Sequence, residues 1–258
     1  MNDLESYFRN NDKRLIHKWI HYFDIYDRHF KSYRGKQIVL LEIGVSQGGS
    51  LQKWKNYFGE NAKIYGIDID PRCKDLEEEN ISIFIGSQTD RTFLRSVTSQ
   101  IPPIDILIDD GGHTMKQQII SFEELFNHIK DDGIYLCEDL LTSYMLEYGG
   151  GHKRKGTFIE YSKNIIDYLN GYHSTQKSLK VNKFTQSINS LHYYDSVFLI
   201  EKKPKSLPYH EMVGTVSFTS EIQVKNFTEI IVCRLNRFLT LNIEKTFQFL
   251  KIRSIFIK

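Results

Sequence analysis

The chain is poor in the features that place a sequence quickly, and each shortage excludes something. Its 258 residues hold three cysteines, Cys73, Cys137 and Cys233, widely separated. They form no metal or redox spacing, and a sparse, odd count fits a reducing compartment rather than a disulfide framework. The net charge of +2 supplies no overall field for nucleic acid. Long hydrophobic runs are missing, since none approaches the roughly 18–20 residues of a membrane span. The opening MNDLESYFRNNDKR is polar and charged, without the apolar stretch of a secretory signal, so a soluble cytoplasmic protein is expected. Internal repeats and low-complexity segments are absent as well.

What is present is periodicity. A hydrophobic content of 40% supplies one sizeable α/β domain with an appendage. Residues 14–33 set Ile16, Trp19, Ile20, Phe23, Tyr26 and Phe30 at near-helical spacing. That predicts an amphipathic helix, either packed on the domain or laid as a lid over a ligand. Strands and helices then alternate. Strands are predicted at 37–45, 63–69, 81–85, 104–108 and 134–137, and helices at 50–58, 90–99 and 114–130, the last ended by Gly133. A mobile loop with Gly149–Gly151 and the basic His152–Lys155 leads into a helix near 157–170, and 193–203 reads as one more strand, antiparallel at the end of the core. Near-continuous apolar strands between amphipathic helices mean a mostly parallel, doubly wound sheet covered on both faces. After Pro204 the pattern changes: residues 202–258 carry ten Lys/Arg against four acids, and 227–251 predict one or two helices. The expected organisation is a helical cap over 1–35, a core over 36–204 and an appendage over 205–258 that packs or drives homo-oligomer formation, with a basic surface for phosphates or membrane as the lesser reading.

In such sheets ligands bind at the carboxyl ends of the strands. The polar clusters EIGVSQGG, DID, GSQTD, DDGGH and ED fall at those ends. In the run from Glu42 through Gly44 and Ser46 to Gly48, Gly49 and Ser50, glycines allow a tight turn, and the helix start that follows offers free N–H groups. The spacing G-x-x-x-G-G is not the G-x-G-x-x-G of dinucleotide folds. It favours a ligand with a carboxylate and no pyrophosphate, such as S-adenosylmethionine (SAM). Asp68 stands where an acid holds ribose hydroxyls, with Asp70 expected in solvent, and Ser87 and Gln88 stand where adenine would be met.

Asp109, Asp110 and His113 follow the fourth strand, and Glu138 and Asp139 the fifth. Adjacent strand ends lie about 5 Å apart, so these carboxylates converge and raise one another's pKa unless a cation relieves them. All-oxygen ligands suit Mg²⁺, with Mn²⁺ and Ca²⁺ left open as alternatives. Such a cation acidifies a hydroxyl, and His113, three residues past Asp110, is the candidate base.

Taken in order, VLLEIGVSQGGS, IYGIDID, GSQTD, DDGGH and YLCEDL resemble class I SAM-dependent methyltransferases, and among them the metal-dependent sugar O-methyltransferases of macrolide biosynthesis, of the mycinamicin and macrocin type. The cephalosporin hydroxylase-like family shares much of this pattern. So does catechol O-methyltransferase, which has a lysine where this chain has His113; the sugar enzymes have a histidine there. The resemblance covers about residues 10–203. It implies a Rossmann-like, seven-stranded fold and SAM contacts at Glu42, Gly44, Ser50, Asp68, Ser87 and Gln88, with Asp109 at the methionine end. It implies metal ligands at Asp110, Glu138 and Asp139, with His113 and Asp110 catalytic. YGGG with TFIEYSKNIIDYLN resembles the subgroup's substrate loop, which brings in Tyr144, Gly150 and His152. The expected acceptor is a sugar hydroxyl, in a nucleotide-linked sugar or a surface-polysaccharide precursor. An aromatic or catechol hydroxyl is the second reading and a non-catalytic SAM-binding accessory protein the third.

Overall fold

Each near-continuous apolar run becomes a strand buried among its neighbours: β1 (Val39–Ile43), β2 (Lys63–Asp68), β3 (Ile81–Ile85), β4 (Ile104–Asp109) and β5 (Ile129–Cys137). The computed structural model describes residues 1–218 and 227–254. Two further strands, β6 (Ile188–Tyr194) and β7 (Val197–Lys202), complete a seven-stranded sheet of order β3-β2-β1-β4-β5-β7-β6. β1 to β5 run parallel, while β7 is antiparallel to both β5 and β6. Chain order reverses between β1 and β4, so the loops leaving these strands diverge and open a crevice at their carboxyl ends.

Strand alternation divides the core into two layers. Leu40, Ile64, Ile106, Ile108 and Leu136 face one layer, with Phe23, Tyr26, Phe30, Trp54 and Phe58. Leu41, Ile67, Leu107, Tyr135 and Cys137 face the other, with Leu94, Phe122, Leu125 and Ile165. The first layer is covered by α1 (Asp3–Arg9), α2 (Tyr22–Phe30) and α3 (Gly49–Phe58), the second by α4 (Arg91–Gln100), α5 (Met115–Leu125) and α6 (Phe158–Leu169). A short α7 (Lys183–Ser187) precedes β6. α5 starts on a full capping box, Thr114 with Gln117, worth about 1 kcal/mol.

Three local expectations are corrected. The helix predicted over 14–33 exists only from Tyr22; residues 10–21 are irregular, and α1 precedes them. A Cβ on Gly49 would meet the carbonyl oxygens of Arg14 and Leu15 at 2.4 Å each. Residues 14–16 therefore lie flat on the start of α3, and this tertiary contact overrides their helical spacing. The single strand predicted over 193–203 is a hairpin, because Asp195 and Ser196 (φ +60°) form a two-residue turn inside one unbroken alternation. Finally, Gly133 lies within β5 rather than ending α5, since Ile129 already pairs with Ile104 and a register shift absorbs the irregularity.

By its contacts the chain divides into Met1–Tyr209 and His210–Lys258. Among its described residues the second unit holds a single helix, α8 (Phe227–Phe249). Glu221, Lys225 and Lys258 of the basic tail fall outside the described residues. No helix among those described is long and apolar enough to cross a membrane.

The far end of α2 is clamped to the sheet edge. His29 lies 2.9 Å by Nδ1 from Glu201 Oε1 and 2.8 Å by Nε2 from the Tyr194 hydroxyl. Burial lowers the His29 pKa, with Glu201 pulling the other way. The unfolded chain therefore takes up this proton first, near pH 6.5, and folding stability falls as pH drops through that value and is retained above it. Thermal unfolding followed from pH 7.5 to 5.5 should show a shallower loss in His29→Gln than in the wild type; parallel curves would show that His29 contributes nothing to the slope.

Candidate active site

Two adjoining cavities open at the carboxyl ends of β1 and β4. One, of about 270 Å³, is lined by Gly44, Asp68, Ser87, Gln88 and Gln117. The other, of about 290 Å³, is lined by Ile16, Lys18, Ser50, His113 and Asp139. Gly44, Ser46, Asp110 and Gly111 border both.

The glycine loop sits tightly against the loop after β4. Gly44 has φ +94°, and its N–H donates to Ile67 O at 2.8 Å. Asp68 lines the first cavity, but its Oδ2 accepts the N–H groups of Val45 (2.8 Å) and Ser46 (2.9 Å), and its Oδ1 that of Asp70. It orders the turn and faces the ligand space together. Asp70 is held by Arg72, outside the lining of that cavity. Glu42 differs from expectation: its carboxylate is buried under the loop, accepting Ser50 Oγ at 2.6 Å and Trp54 Nε1 at 3.1 Å. Glu42 thus fixes the loop from below and Ser50 borders the cavity for it.

Gln88 also differs. Its amide is a strut, donating to Asp109 Oδ1 (3.2 Å) and Ser121 Oγ (2.9 Å) and accepting the N–H of Gly112 at 2.7 Å. Both amide hydrogens are therefore taken, so Gln88 could meet a ligand only as an acceptor through Oε1, beside Ser87. Asp109 is buried beneath the strand ends, and burial pushes its carboxyl up to about 7.

The chemical end gathers as the sequence led one to expect, with one addition. Asp110, His113 and Asp139 each present a ligand atom, all within 4.8 Å of one another. His113 Nε2 lies 3.5 Å from Asp139 Oδ2 and 3.9 Å from Asp110 Oδ1. Burial holds the His113 pKa below its ordinary value, so the ring is neutral at neutral pH. His113 (φ +57°) and Asp139 (φ +54°) both sit in left-handed backbone. Asp139 Oδ1 accepts the Tyr22 hydroxyl at 2.7 Å, and Glu138 Oε1 accepts the Tyr26 hydroxyl at 2.6 Å.

The addition is Lys18. Its side chain is 4% exposed, and its ammonium bonds Asp110 Oδ2 and, at 2.7 Å, Glu138 Oε2. Burial alone would lower its pKa, but Asp110, Glu138 and Glu42 outweigh this and raise it, so the ammonium stays charged. A second buried lysine, Lys53, lies 3.8 Å over the Trp54 ring and is pushed down to about 7, first by burial and then by Lys18. Lys18 was missed in the sequence because a continuous helix over 14–33 would turn it outward, and Tyr26 was read there only as part of the apolar face.

This donor set suits a hard divalent cation at Asp110 and Asp139, with His113 beside it. Glu138 accepts Tyr26 and Lys18 on its two oxygens, so a cation that recruited it would lie against the Lys18 ammonium.

The loop proposed to meet substrate is folded rather than free. Gly150 N–H donates to Met145 O, and Gly151 N–H to Ser143 O, both at 2.8 Å. Gly150 is buried against the backbone of Thr142, Tyr144 is 57% exposed, and His152 is exposed. Thr142 Oγ1 ties the segment to His113 O at 2.9 Å. Tyr144 borders a separate cavity of about 540 Å³ with Leu140, Leu141, Ile159, Ile166 and Tyr193.

Residues 41–140 match a family described as a methyltransferase domain. Demethylmacrocin O-methyltransferase of Streptomyces fradiae is 33% identical over 216 residues, which cover 78% of this chain and 53% of that protein. Mycinamicin VI 2''-O-methyltransferase of Micromonospora griseorubida is 34% identical, over 71% of this chain and 49% of its own length. The MycE methyltransferase of the mycinamycin pathway, solved with Mg and SAH, superposes with a TM-score of 0.69 at 32% identity, covering 78% of this chain and 54% of that one. The chain spans about half the length of the curated relatives it matches. Sheet order, glycine loop and matched segment together define a class I methyltransferase domain. Within that class the chain is similar to the metal-dependent sugar O-methyltransferases of macrolide biosynthesis.

Proposed function

We propose that this chain is a SAM-dependent and Mg²⁺-dependent O-methyltransferase acting on a sugar hydroxyl. The observation that carries the reading is the convergence of Asp110, His113 and Asp139 at the strand ends, beside a glycine loop shaped for SAM. SAM fits the cavity bordered by Gly44, Asp68 and Ser87, and the acceptor the one bordered by His113 and Asp139. Asp110 and Asp139, joined by Glu138, would hold Mg²⁺, which when bound supplies Lewis-acid polarisation of the acceptor hydroxyl. His113 takes the hydroxyl proton through Nε2 as the carbon–sulfur bond breaks and the carbon–oxygen bond forms. Tyr22 and Tyr26 orient the acids, and positioning supplies much of the remaining rate.

The relatives' names point to sugars carried on macrolides. The exposed basic stretch His152–Lys155 suits a phosphate-bearing acceptor such as a nucleotide sugar or a polysaccharide precursor. The largely apolar cavity along Leu140, Leu141 and Ile159 favours the second reading, an aromatic hydroxyl. A cytoplasmic homo-oligomer is part of the proposal.

The test is a product screen by mass spectrometry with SAM, Mg²⁺ and panels of nucleotide sugars, glycosylated macrolides and catechols. A sugar-bearing acceptor should gain a methyl group, EDTA should stop the reaction, and Mg²⁺ should restore it. Turnover of catechols alone would overturn the sugar reading, and full activity in EDTA would overturn the metal.

A further inference from the structure

Lys18 is carried by neither a strand end nor a helix; it hangs from the irregular segment between α1 and α2. That segment is pinned just before Lys18. Asn11 Nδ2 donates to Arg14 O at 2.8 Å, and Arg14 Nη1 donates to Leu76 O at 2.8 Å and pairs with Glu78 at 2.9 Å. Arg14 and Leu15 rest on Gly49, which has no Cβ to push them away. The anchor is therefore fixed, while a four-carbon stem leaves the ammonium free to choose its partners.

The ammonium has chosen two acids from different strands, Asp110 after β4 and Glu138 after β5. A divalent cation joining these strand ends would stand at the same two carboxylates, against the ammonium. The other Glu138 oxygen already accepts the Tyr26 hydroxyl. What remains facing the cavity is Asp110 Oδ1, Asp139 Oδ2 and His113 Nε2. The cluster therefore has two ways of balancing its charge, with a lysine attached to the chain or with a cation from solution, and two cations at the same carboxylates repel one another.

We propose that Lys18 is a tethered counter-ion that competes with the divalent cation for Asp110 and Glu138, so that cation binding expels its ammonium from the cluster. This rests on the reading of the site as a Mg²⁺ site. The competition stabilises the cation-free protein, whose acids would otherwise stand unpaired. It also lowers the apparent cation affinity by the fraction of molecules in which the ammonium is already seated. The site then loads only above a threshold cation concentration, and the threshold is set by a residue outside the motifs that define the fold.

The experiment titrates Mn²⁺ alone, without SAM or acceptor, into the full chain by calorimetry. It compares the wild type with Lys18→Met, which keeps the stem and removes the charge, and with Lys18→Arg, which keeps the charge. Lys18→Met should bind Mn²⁺ at least about tenfold more tightly, at unchanged stoichiometry, and Lys18→Arg should stay near the wild type. Adding Asp110→Asn to Lys18→Met should abolish that tight binding, which locates it in the cluster. Thermal unfolding guards against a merely damaged variant. In EDTA, Lys18→Met should melt below the wild type, and it should gain more than the wild type when Mn²⁺ is added. Equal or weaker binding in Lys18→Met would overturn the competition while leaving the metal site standing. If neither the wild type nor Lys18→Met binds Mn²⁺, the metal reading itself fails and the inference falls with it.

Discussion

Asp110→Ala is expected to lower kcat/KM for methyl transfer by roughly a thousandfold, the kinetic equivalent of about 4 kcal/mol of Lewis-acid stabilisation. The reason is its place. Asp110 directly follows the strand next to the fold's topological switch, its Oδ2 meets Lys18, and its Oδ1 is 3.9 Å from His113. Truncating it removes the ligand nearest the proposed base and leaves Lys18 with Glu138 alone. SAM should still bind within about tenfold, because the glycine loop and the Asp68-ordered turn are untouched. Steady-state kinetics together with SAM calorimetry separate the two effects. A variant that kept activity within tenfold of the wild type would sink the metal-centred mechanism.

The second large effect concerns backbone. Gly44→Ala is expected to destabilise the fold by about 3 kcal/mol or more and to take SAM binding below detection. A Cβ there would stand 2.0 Å from the Asp110 carbonyl oxygen and 2.7 Å from its carbon, at a φ of +94° that L side chains rarely adopt. Neither backbone can yield, since Asp110 N–H is itself bonded to Ile43 O at 2.9 Å. Gly35→Ala serves as the control. It shares a positive φ of +71° but has nothing within 4 Å of the added carbon, so only the conformational cost of about 1 kcal/mol should appear. Urea unfolding of both variants tests this, and equal losses would mean that the close approach of the two loops carries no energy.

The sheet was legible because parallel strands buried on both faces are near-continuous apolar runs, and β1 to β4 announce themselves that way. Asp110, His113, Glu138 and Asp139 were legible for a related reason, as polar residues placed directly after such runs. What escaped the sequence depends on partners far along the chain. The aromatic spacing from Ile16 to Phe30 continues through residues 14–21 although no helix forms there, because the contact that flattens them comes from Gly49. The turn at Asp195–Ser196 hides inside an alternation that suits one long strand as well as two short ones. Glu42 and Gln88 sit in motif positions, yet their side chains are taken by Trp54, Ser50, Asp109 and Gly112, partners that no local pattern names.

The left-handed backbone at His113 and Asp139 has an evolutionary consequence. Among residues with a Cβ, asparagine, aspartate and histidine are the ones that tolerate this conformation best. Neither position can drift to glutamate, valine or threonine without strain, so the usual conservative exchanges are closed. Beyond aspartate and histidine themselves, the exchanges that remain open to the fold, asparagine and glycine, provide neither charge nor base. A lineage that no longer needed the reaction would therefore keep its architecture and record the loss at these two codons first. Asparagine or glycine at 113 and 139, in an otherwise intact chain, would be the signature of a silenced descendant.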